Sequence, residues 1–407
     1  MTVREHDLVL LGATGFTGGL VAQYLAASAP QHLTVALAGR DESALRARRA
    51  QLPGRAREWP VLAASAEDVD ALARLAGSCR LMLTTVGPYA RLGMPVVEAC
   101  VQAGTDYIDL SGEIPFLRSC IDRFQDDAER HGIRLVQTCG IVAAVVDLAV
   151  WDLAQHAAAA GSGQLTDVIG LYPGFVGQRS SGTNASTIEG LAALRDSPEL
   201  QRLARDPYAL SPDRASEPDL GPQRDRSSFD YDTELDTWLG PFWYESLQTR
   251  VVRRTNALLG YDYGREFRYR EATDLGNGRQ AVLGRLRTLR QIGWVPLMLN
   301  PRTGRFVEAV MRRAAPPPRS GPDESNEVAL AGTIIAHTSS GAVHREHVQA
   351  HLGGYHATAV IVTQMALALL YDRDRLPDRH GFLTPAAAGD GVLLDRLRQA
   401  GFEIRAE

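Results

Sequence analysis

Between residues 7 and 140 short apolar runs alternate with segments of helical periodicity, and this rhythm constrains the fold more than any other feature of the chain. Strands are expected at 7–12 (DLVLLG), 33–39, 59–64, 80–86, 106–110 and 133–138, with helices near 17–28, 42–52, 67–77, 93–103 and 116–131. Such a succession is the pattern of a parallel sheet wrapped by crossover helices. It predicts an α/β fold whose residues 1–140 form a Rossmann-type doubly wound domain. Ser65 ahead of Glu67 and Asp68 suits the start of the middle helix, where side-chain oxygens and negative charge meet free N–H groups.

At 407 residues the chain is too long for one efficient core, so a second domain is expected. An α+β unit is read over 141–354, opening with a helix at 146–160 and a strand at 165–172. A glycine- and serine-rich turn at 174–184 leads to helices ending near 206. Residues 211–237 are polar, proline-rich and without periodicity, which suggests a lid, a binding segment or disorder. Strands are expected at 240–245 (GPFWYE) and 265–272, then helix from 279 to 313 with interruptions at Pro296 and Pro301. EVALAGTIIAHT and AVHREHVQAHL read as the arms of a hairpin around Ser339-Ser340-Gly341. Helices at 355–371 and 391–400 lie in a C-terminal segment, 355–407, expected to fold back on the first domain.

Composition removes several kinds of chemistry. All 43 basic residues are arginine, so a Schiff base, a P-loop lysine and a Tyr-x-x-x-Lys pair are excluded. The net charge of −5 comes from interleaved signs with no basic block, which argues against nucleic acid as a partner. Four singly spaced cysteines give neither a zinc pattern nor a disulfide framework, and a reducing, cytoplasmic setting is expected. The N-terminus enters a strand directly, so no secretory leader is expected. No apolar run has the roughly 18 residues of a membrane span, and IGWVPLML at 292–299 is expected to lie inside the fold. The oligomeric state is left open, a homo-oligomer included.

Gly12-Ala13-Thr14-Gly15-Phe16-Thr17-Gly18 falls between the first strand and the first helix. Glycines there permit a tight turn and close backbone approach to a pyrophosphate, while the helix N-terminus supplies N–H groups and partial positive charge. Gly12, Thr14, Gly15, Phe16, Thr17 and Gly18 are therefore expected to hold a dinucleotide. The second strand ends Ala38-Gly39-Arg40, where an NAD site would carry an acid on the ribose hydroxyls. Arg40 offers a guanidinium to a 2′-phosphate and favours NADP, although Asp41 beside it offers NAD a carboxylate. Arg46, Arg48 and Arg49 either add to this field or form an exposed helical face.

Thr84-Thr85-Val86-Gly87-Pro88-Tyr89 closes the fourth strand at the carboxyl edge, where ligands bind open α/β sheets. Thr85, Gly87 and Pro88 are expected beside the ribose and nicotinamide. Tyr89 reads either as an acid for catalysis or as a loop aromatic covering the cofactor. Asp109, Ser111 and Glu113 either join that region or hold its loop in place.

The stretches GATGFTGGLVAQYLA, ALAGR, TTVGPYARLGMPVVEACVQAGTDYIDLSGE, DPYALSPDR, RVVRRTNALL and FLTPAAA resemble the actinobacterial trans-acting enoyl reductases, within the saccharopine-dehydrogenase-like reductases. The similarity spans nearly the whole chain. It implies an NADPH enzyme, soluble or peripherally membrane-associated, that reduces the enoyl double bond of a growing polyketide or fatty chain. Its substrate would be presented by a synthase lacking its own enoyl reductase, or by an acyl carrier protein. The family usually continues Phe-Asp-Ser-Val-Pro-Ser-Asp after the Cys-Gly at this point. Here Ile141-Val142-Ala143-Ala144-Val145-Val146 precede the retained Asp147.

This apolar replacement reads as a pocket border, with Cys139, Ile141, Tyr172 and Asn184 expected near substrate. Asp147 reads either as a complement to a helix N-terminus or as a buried proton donor with a raised pKa. The replacement also keeps two other functions open: imine or carbonyl reduction, and a non-redox enzyme such as a cyclase. Tyr172, Phe175, Phe229, Tyr231, Trp238, Phe242, Trp243 and Tyr244 either line an acyl tunnel or pack in core and lid. His344, His347 and His351 fall in a predicted strand that turns His344 away from the other two, so no metal is expected.

Overall fold

The computed structural model describes residues 4–174, 179–323 and 330–407. Its first layer is a parallel sheet built from β1 (His6–Leu11), β2 (Val35–Gly39), β3 (Val61–Ala63), β4 (Cys79–Thr84), β5 (Asp106–Ile108) and β6 (Arg134–Val136). Helices α1 (Phe16–Ser28), α2 (Glu42–Ala50), α3 (Val69–Ser78), α4 (Tyr89–Ala103) and α5 (Ile114–His131) connect these strands. The order β3-β2-β1-β4-β5-β6 reverses between β1 and β4, which opens a crevice at their carboxyl ends. Local chemistry sets the boundaries. Asp41 and Asp68 cap α2 and α3 by accepting from Ala44 N–H and Ala71 N–H, and left-handed Gly104 and Gly132 end α4 and α5. The cap of α3 is thus Asp68, whereas Ser65 accepts from Glu67 N–H in the preceding turn.

The second layer begins with α6 (Ala144–Ala159) and β7 (Leu165–Tyr172), followed by α7 (Ser181–Asp196) and α8 (Pro198–Arg205). Strands β8 (Asp230–Asp232) and β9 (Thr237–Gly240) precede α9 (Glu245–Leu258) and β10 (Arg268–Gly276). Three helices follow, α10 (Gly278–Ile292), α11 (Val295–Leu299) and α12 (Gly304–Arg313), then the hairpin β11 (Leu330–Thr338) and β12 (Val343–Ala350). The expected strand GPFWYE is instead the turn after β9, and α9 has no counterpart in the sequence reading. Pro296 starts α11 because its fixed φ suits a first turn. In IGWVPLML, Met298 is buried but Leu297 is 52% exposed, so that stretch is only partly interior.

The C-terminal segment comprises α13 (Gly354–Tyr371), β13 (Gly381–Leu383), α14 (Pro385–Gln399) and β14 (Phe402–Ala406). It contains more than packing helices. Strand β13 joins the first sheet beside β6, and β14 joins the second, ordered β14-β12-β11-β7-β10-β9-β8. Each sheet therefore closes with a strand from the far end of the chain. Helix α13 lies against α1, and among the described residues it alone is long and apolar enough to cross a membrane. Its apolar window is 72% buried inside the fold.

The stretch from Ala143 to Leu148 is fully or almost fully buried, because α6 packs against α9 and α14 on one side and the second sheet on the other. An all-round apolar helix is what such a position requires. The segment 141–146 is thus core, with only Ile141 and Val142 half-exposed, and not the expected pocket border. The loop 211–237 is tied to α9: Arg250 pairs with Asp225, Glu245 accepts from Arg226 N–H, and Arg226 pairs with Asp230. Arg250, Arg253 and Arg254 also donate to carbonyls of Ala204, Asp206, Pro207 and Leu210. The two stretches RVVRRTNALL and DPYALSPDR thereby form one structural unit.

Candidate active site

A cavity of about 390 Å³ lies at the carboxyl ends of β1, β2 and β4, of the size expected for a bound small molecule. Its floor is the glycine turn. Gly12 has φ +96°, and a Cβ on Gly18 would stand 2.1 Å from the Gly12 carbonyl oxygen, so neither position accepts a larger residue without a shift. Gly15 is extended and precedes α1, leaving the N-terminal N–H groups of that helix directed out of the turn. Thr85 donates to the Gly12 carbonyl at 3.3 Å, joining the β4 edge to the turn.

Gly12, Thr14, Gly15, Phe16, Thr17, Gly18, Arg40, Thr85 and Gly87 all line the cavity. So do Asp41, Ser65, Arg91 and, from the second layer, Ser180, Ser181, Gly182 and Arg319. Sequence reading missed Ser180, Ser181 and Arg319 because only tertiary folding brings them to the first sheet. The serine-rich start of α7 was their one local signal.

Ser180 caps α7, accepting from Thr183 N–H at 3.3 Å. Its own N–H donates to the Tyr355 hydroxyl at 2.7 Å, and that hydroxyl donates to Thr183 Oγ1 at 2.9 Å. Tyr355 also meets the Phe16 ring edge-on, with centroids 5.3 Å apart. Glu113 holds the other wall. It accepts from Tyr89 N–H and Ala90 N–H at 3.0 and 2.6 Å, and from the Ser186 hydroxyl, while burial raises its pKa. Asp109 accepts from Tyr107, Ser111 and Thr138, fixing the end of β5.

Other expected site residues lie elsewhere. Tyr89 is buried; its hydroxyl donates to the Thr84 carbonyl and accepts from Leu110 N–H, both at 3.2 Å, and its pKa is pushed well up by burial and then by Asp109. It does not line the cavity. Asp147 is fully buried, accepting from Thr255 and from Ala386 N–H at the start of α14, and burial lifts its pKa to about 7. The raised pKa read from sequence is present, but the carboxyl joins α6 to α9 and α14. Pro88 caps α4 beside the cavity. Cys139 is buried, Ile141 donates its N–H to Thr358, and Asn184 sits half-buried in the first turn of α7.

Tyr172 is buried in β7 and stacks on Phe242 at 4.6 Å. Tyr231 meets Trp238, Trp243 meets Trp294, and Arg179 lies 4.2 Å over Trp243, so these aromatics pair largely with one another. Phe175 lies outside the described residues. Arg46 pairs with Glu42, Arg49 donates to the Trp59 carbonyl, and Arg48 covers Gly19. The three are thus committed to helix and turn contacts. His344, His347 and His351 face Ser162, Glu407 and Glu403 respectively. Asp152, His156 and Glu346 do cluster, away from the cavity. Arg398 pairs with Asp152, and burial, then that carboxylate, raises the Glu346 pKa.

A doubly wound sheet with a glycine cradle at its reversal point, walled by a second layer, is the arrangement of a dinucleotide-binding protein. Residues 8–162 match the family described as saccharopine dehydrogenase NADP binding domain. Over 419 aligned residues the chain is 40% identical to a protein named "putative trans-acting enoyl reductase" from Mycobacterium tuberculosis (strain ATCC 25618 / H37Rv), covering 99% of this chain and 98% of the relative. It is 38% identical to the trans-acting enoyl reductase of Mycobacterium ulcerans (strain Agy99), with 99% and 98% covered. The solved saccharopine dehydrogenase (L-Glu forming) of Saccharomyces cerevisiae shares the fold, with a TM-score of 0.54, 14% identity and 99% of each chain covered. The chain belongs to the trans-acting enoyl reductase family.

Proposed function

We propose that this chain uses NADPH to reduce the enoyl double bond of an acyl or polyketide intermediate held in trans on a synthase or carrier protein. The observation that carries the reading is the span of the cavity. It runs from Arg40 past the glycine turn to Thr85 and Gly87, where the N-terminus of α7 meets it. The fit to NADPH rests on residues: Gly12 and Gly18 allow the tight turn that sets the start of α1 against the cavity, where its free N–H groups suit a pyrophosphate, and exposed Arg40 suits a 2′-phosphate.

When bound, the cofactor supplies the hydride for the substrate β-carbon. The chain must then steady negative charge on the thioester oxygen and furnish a proton to the α-carbon. Ser180, Ser181 and Gly182 bring the positive end of a 16-residue helix to that end of the cavity, a fixed dipole suited to developing enolate charge. In this reading Tyr355 furnishes the proton, because it is tied directly to Ser180 and can be reprotonated through Thr183. Tyr89 and Asp147 keep structural roles. Both are buried away from the cavity, whereas Tyr355 is half-buried against its wall at Ser180, and the apolar 141–146 segment lies in core, where it gives no reason to favour a non-redox function.

The test is turnover of an enoyl thioester by Tyr355→Phe with NADPH affinity measured beside it. The reading expects kcat to fall by about a hundredfold, within the ordinary range for a lost general acid, with the NADPH Kd within about twofold of wild type. Unchanged kcat would remove Tyr355 from the role. Oxidation of NADPH with imine or ketone substrates but with no enoyl thioester would overturn the reaction assignment.

A further inference from the structure

The residues after α12 reach from the second layer across the glycine turn of the first. The Ser320 carbonyl accepts from Ser181 N–H at 3.0 Å. Gly321 lies so close to Phe16 that a Cβ would stand 2.2 Å from the ring. Immediately before these two anchors Arg319 extends to Asp41, with Nη2 3.3 Å from Oδ2. Arg319, Asp41 and Arg40 all line the same end of the cavity.

This contact changes what Asp41 can do. An acid at the end of the second strand selects NAD by accepting the ribose hydroxyls, and its charge repels a 2′-phosphate. Here one Asp41 oxygen accepts from Ala44 N–H at 2.9 Å and the other faces Arg319. The Ala44 N–H, and next the Arg319 guanidinium, hold the Asp41 carboxyl below its ordinary pKa, so it stays a committed anion. Among the described residues Arg40 has no such acidic partner and remains exposed.

We infer that Arg319 is a specificity-determining residue for the dinucleotide: it occupies Asp41 and presents, with Arg40, a second guanidinium to the 2′-phosphate. The inference rests on the NADPH reading above. It assigns part of cofactor choice to a residue 278 positions away from its partner, carried by a different layer of the fold. Arg319 is about half exposed, as is Asp41, so the pair is accessible to an incoming phosphate.

The experiment is equilibrium binding of NADPH and of NADH, without substrate, to wild type, Arg40→Ala, Arg319→Ala, Arg319→Lys, Asp41→Asn and the Asp41→Asn/Arg319→Ala pair. Arg319→Ala is expected to cut the NADPH-over-NADH preference about tenfold, the scale of one charge-assisted hydrogen bond. Arg319→Lys should restore part of it. In the Asp41→Asn background the same Arg319→Ala change should cost clearly less, because the carboxylate it masks is gone. An unchanged preference in Arg319→Ala, or equal weakening of both cofactors, overturns the inference and leaves Arg319 a strap residue only. If wild type prefers NADPH and Arg40→Ala abolishes that preference, such a result sinks the Arg319 role alone. A wild type without preference sinks both.

Discussion

The cavity and the buried polar seam beside α6 both gather charged and hydroxyl side chains, yet they dispose of them in opposite ways. In the seam the two central charged groups are taken up by protein partners: Asp147 accepts from Thr255 and Ala386, while Arg254 donates to the Leu210 and Phe382 carbonyls. In the cavity the start of α1 after the glycine turn and the Arg40 guanidinium face open space. Protonation equilibria in the seam are strongly displaced, with burial raising Asp147 to about 7 and lowering Arg254 to about 9. Perturbed acids and bases often mark active sites, but structural networks perturb them equally well. In this molecule the ligand site is better marked by backbone and guanidinium donors that the fold leaves unused.

The largest effect that can break the comparison comes from the seam. Arg254→Ala should destabilise the protein by about 3 kcal/mol or more, since it strips two buried carbonyls of their donor. A melt combined with cofactor binding checks this; the folded fraction should bind NADPH as wild type does. A weakened cofactor Kd in well-folded protein would tie the seam to the cavity after all. The cavity counterpart is Gly18→Ala, whose Cβ meets a backbone oxygen. Binding should weaken by about a hundredfold, near 2.7 kcal/mol, and the same clash should lower the melt, while folded protein keeps the seam contacts.

Asp147→Asn gives an effect that depends on pH. A carboxyl raised from an ordinary value near 4 to about 7 in the fold contributes stability below its unfolded pKa, and loses it as pH rises through 7. Between pH 5 and 7 wild type should therefore lose up to about 1.4 kcal/mol per pH unit relative to Asp147→Asn. Chemical denaturation across that range would measure it, and parallel curves would show that the carboxyl titrates elsewhere. The smallest effect is Tyr89→Phe. It should cost about 1 kcal/mol of stability and leave kcat within about twofold, because the lost hydroxyl serves two backbone groups. A hundredfold fall in kcat would return Tyr89 to the chemistry.

The first sheet was legible because parallel strands buried on both faces read as apolar runs, and the glycine turn carries a backbone requirement no other residue meets. Arg40 was visible for a similar reason, since its place at the end of β2 decides what it can touch. The second layer was harder to read. Its aromatic stretch at 240–245 has the composition of a strand, but the turn after β9 leads it into α9. The strands β13 and β14 complete their sheets through pairings with β6 and β12, distant contacts that local periodicity does not encode. Arg319 and Tyr355 were missed on the same ground. Asp147 shows the converse failure: a lone carboxylate in an apolar run looks chemical until Thr255 and Ala386, both far along the chain, are found on it.

The central claim, that this cavity delivers hydride to an enoyl group, is tested most directly by isotope transfer. The protein would be mixed with a 2-enoyl thioester and NADPH deuterated at the transferring C4 position, and the product read by mass spectrometry. The account predicts a saturated thioester carrying one deuterium on its β-carbon. Unreacted enoyl thioester with intact NADPH, or deuterium at a carbon derived from the carbonyl, would contradict it.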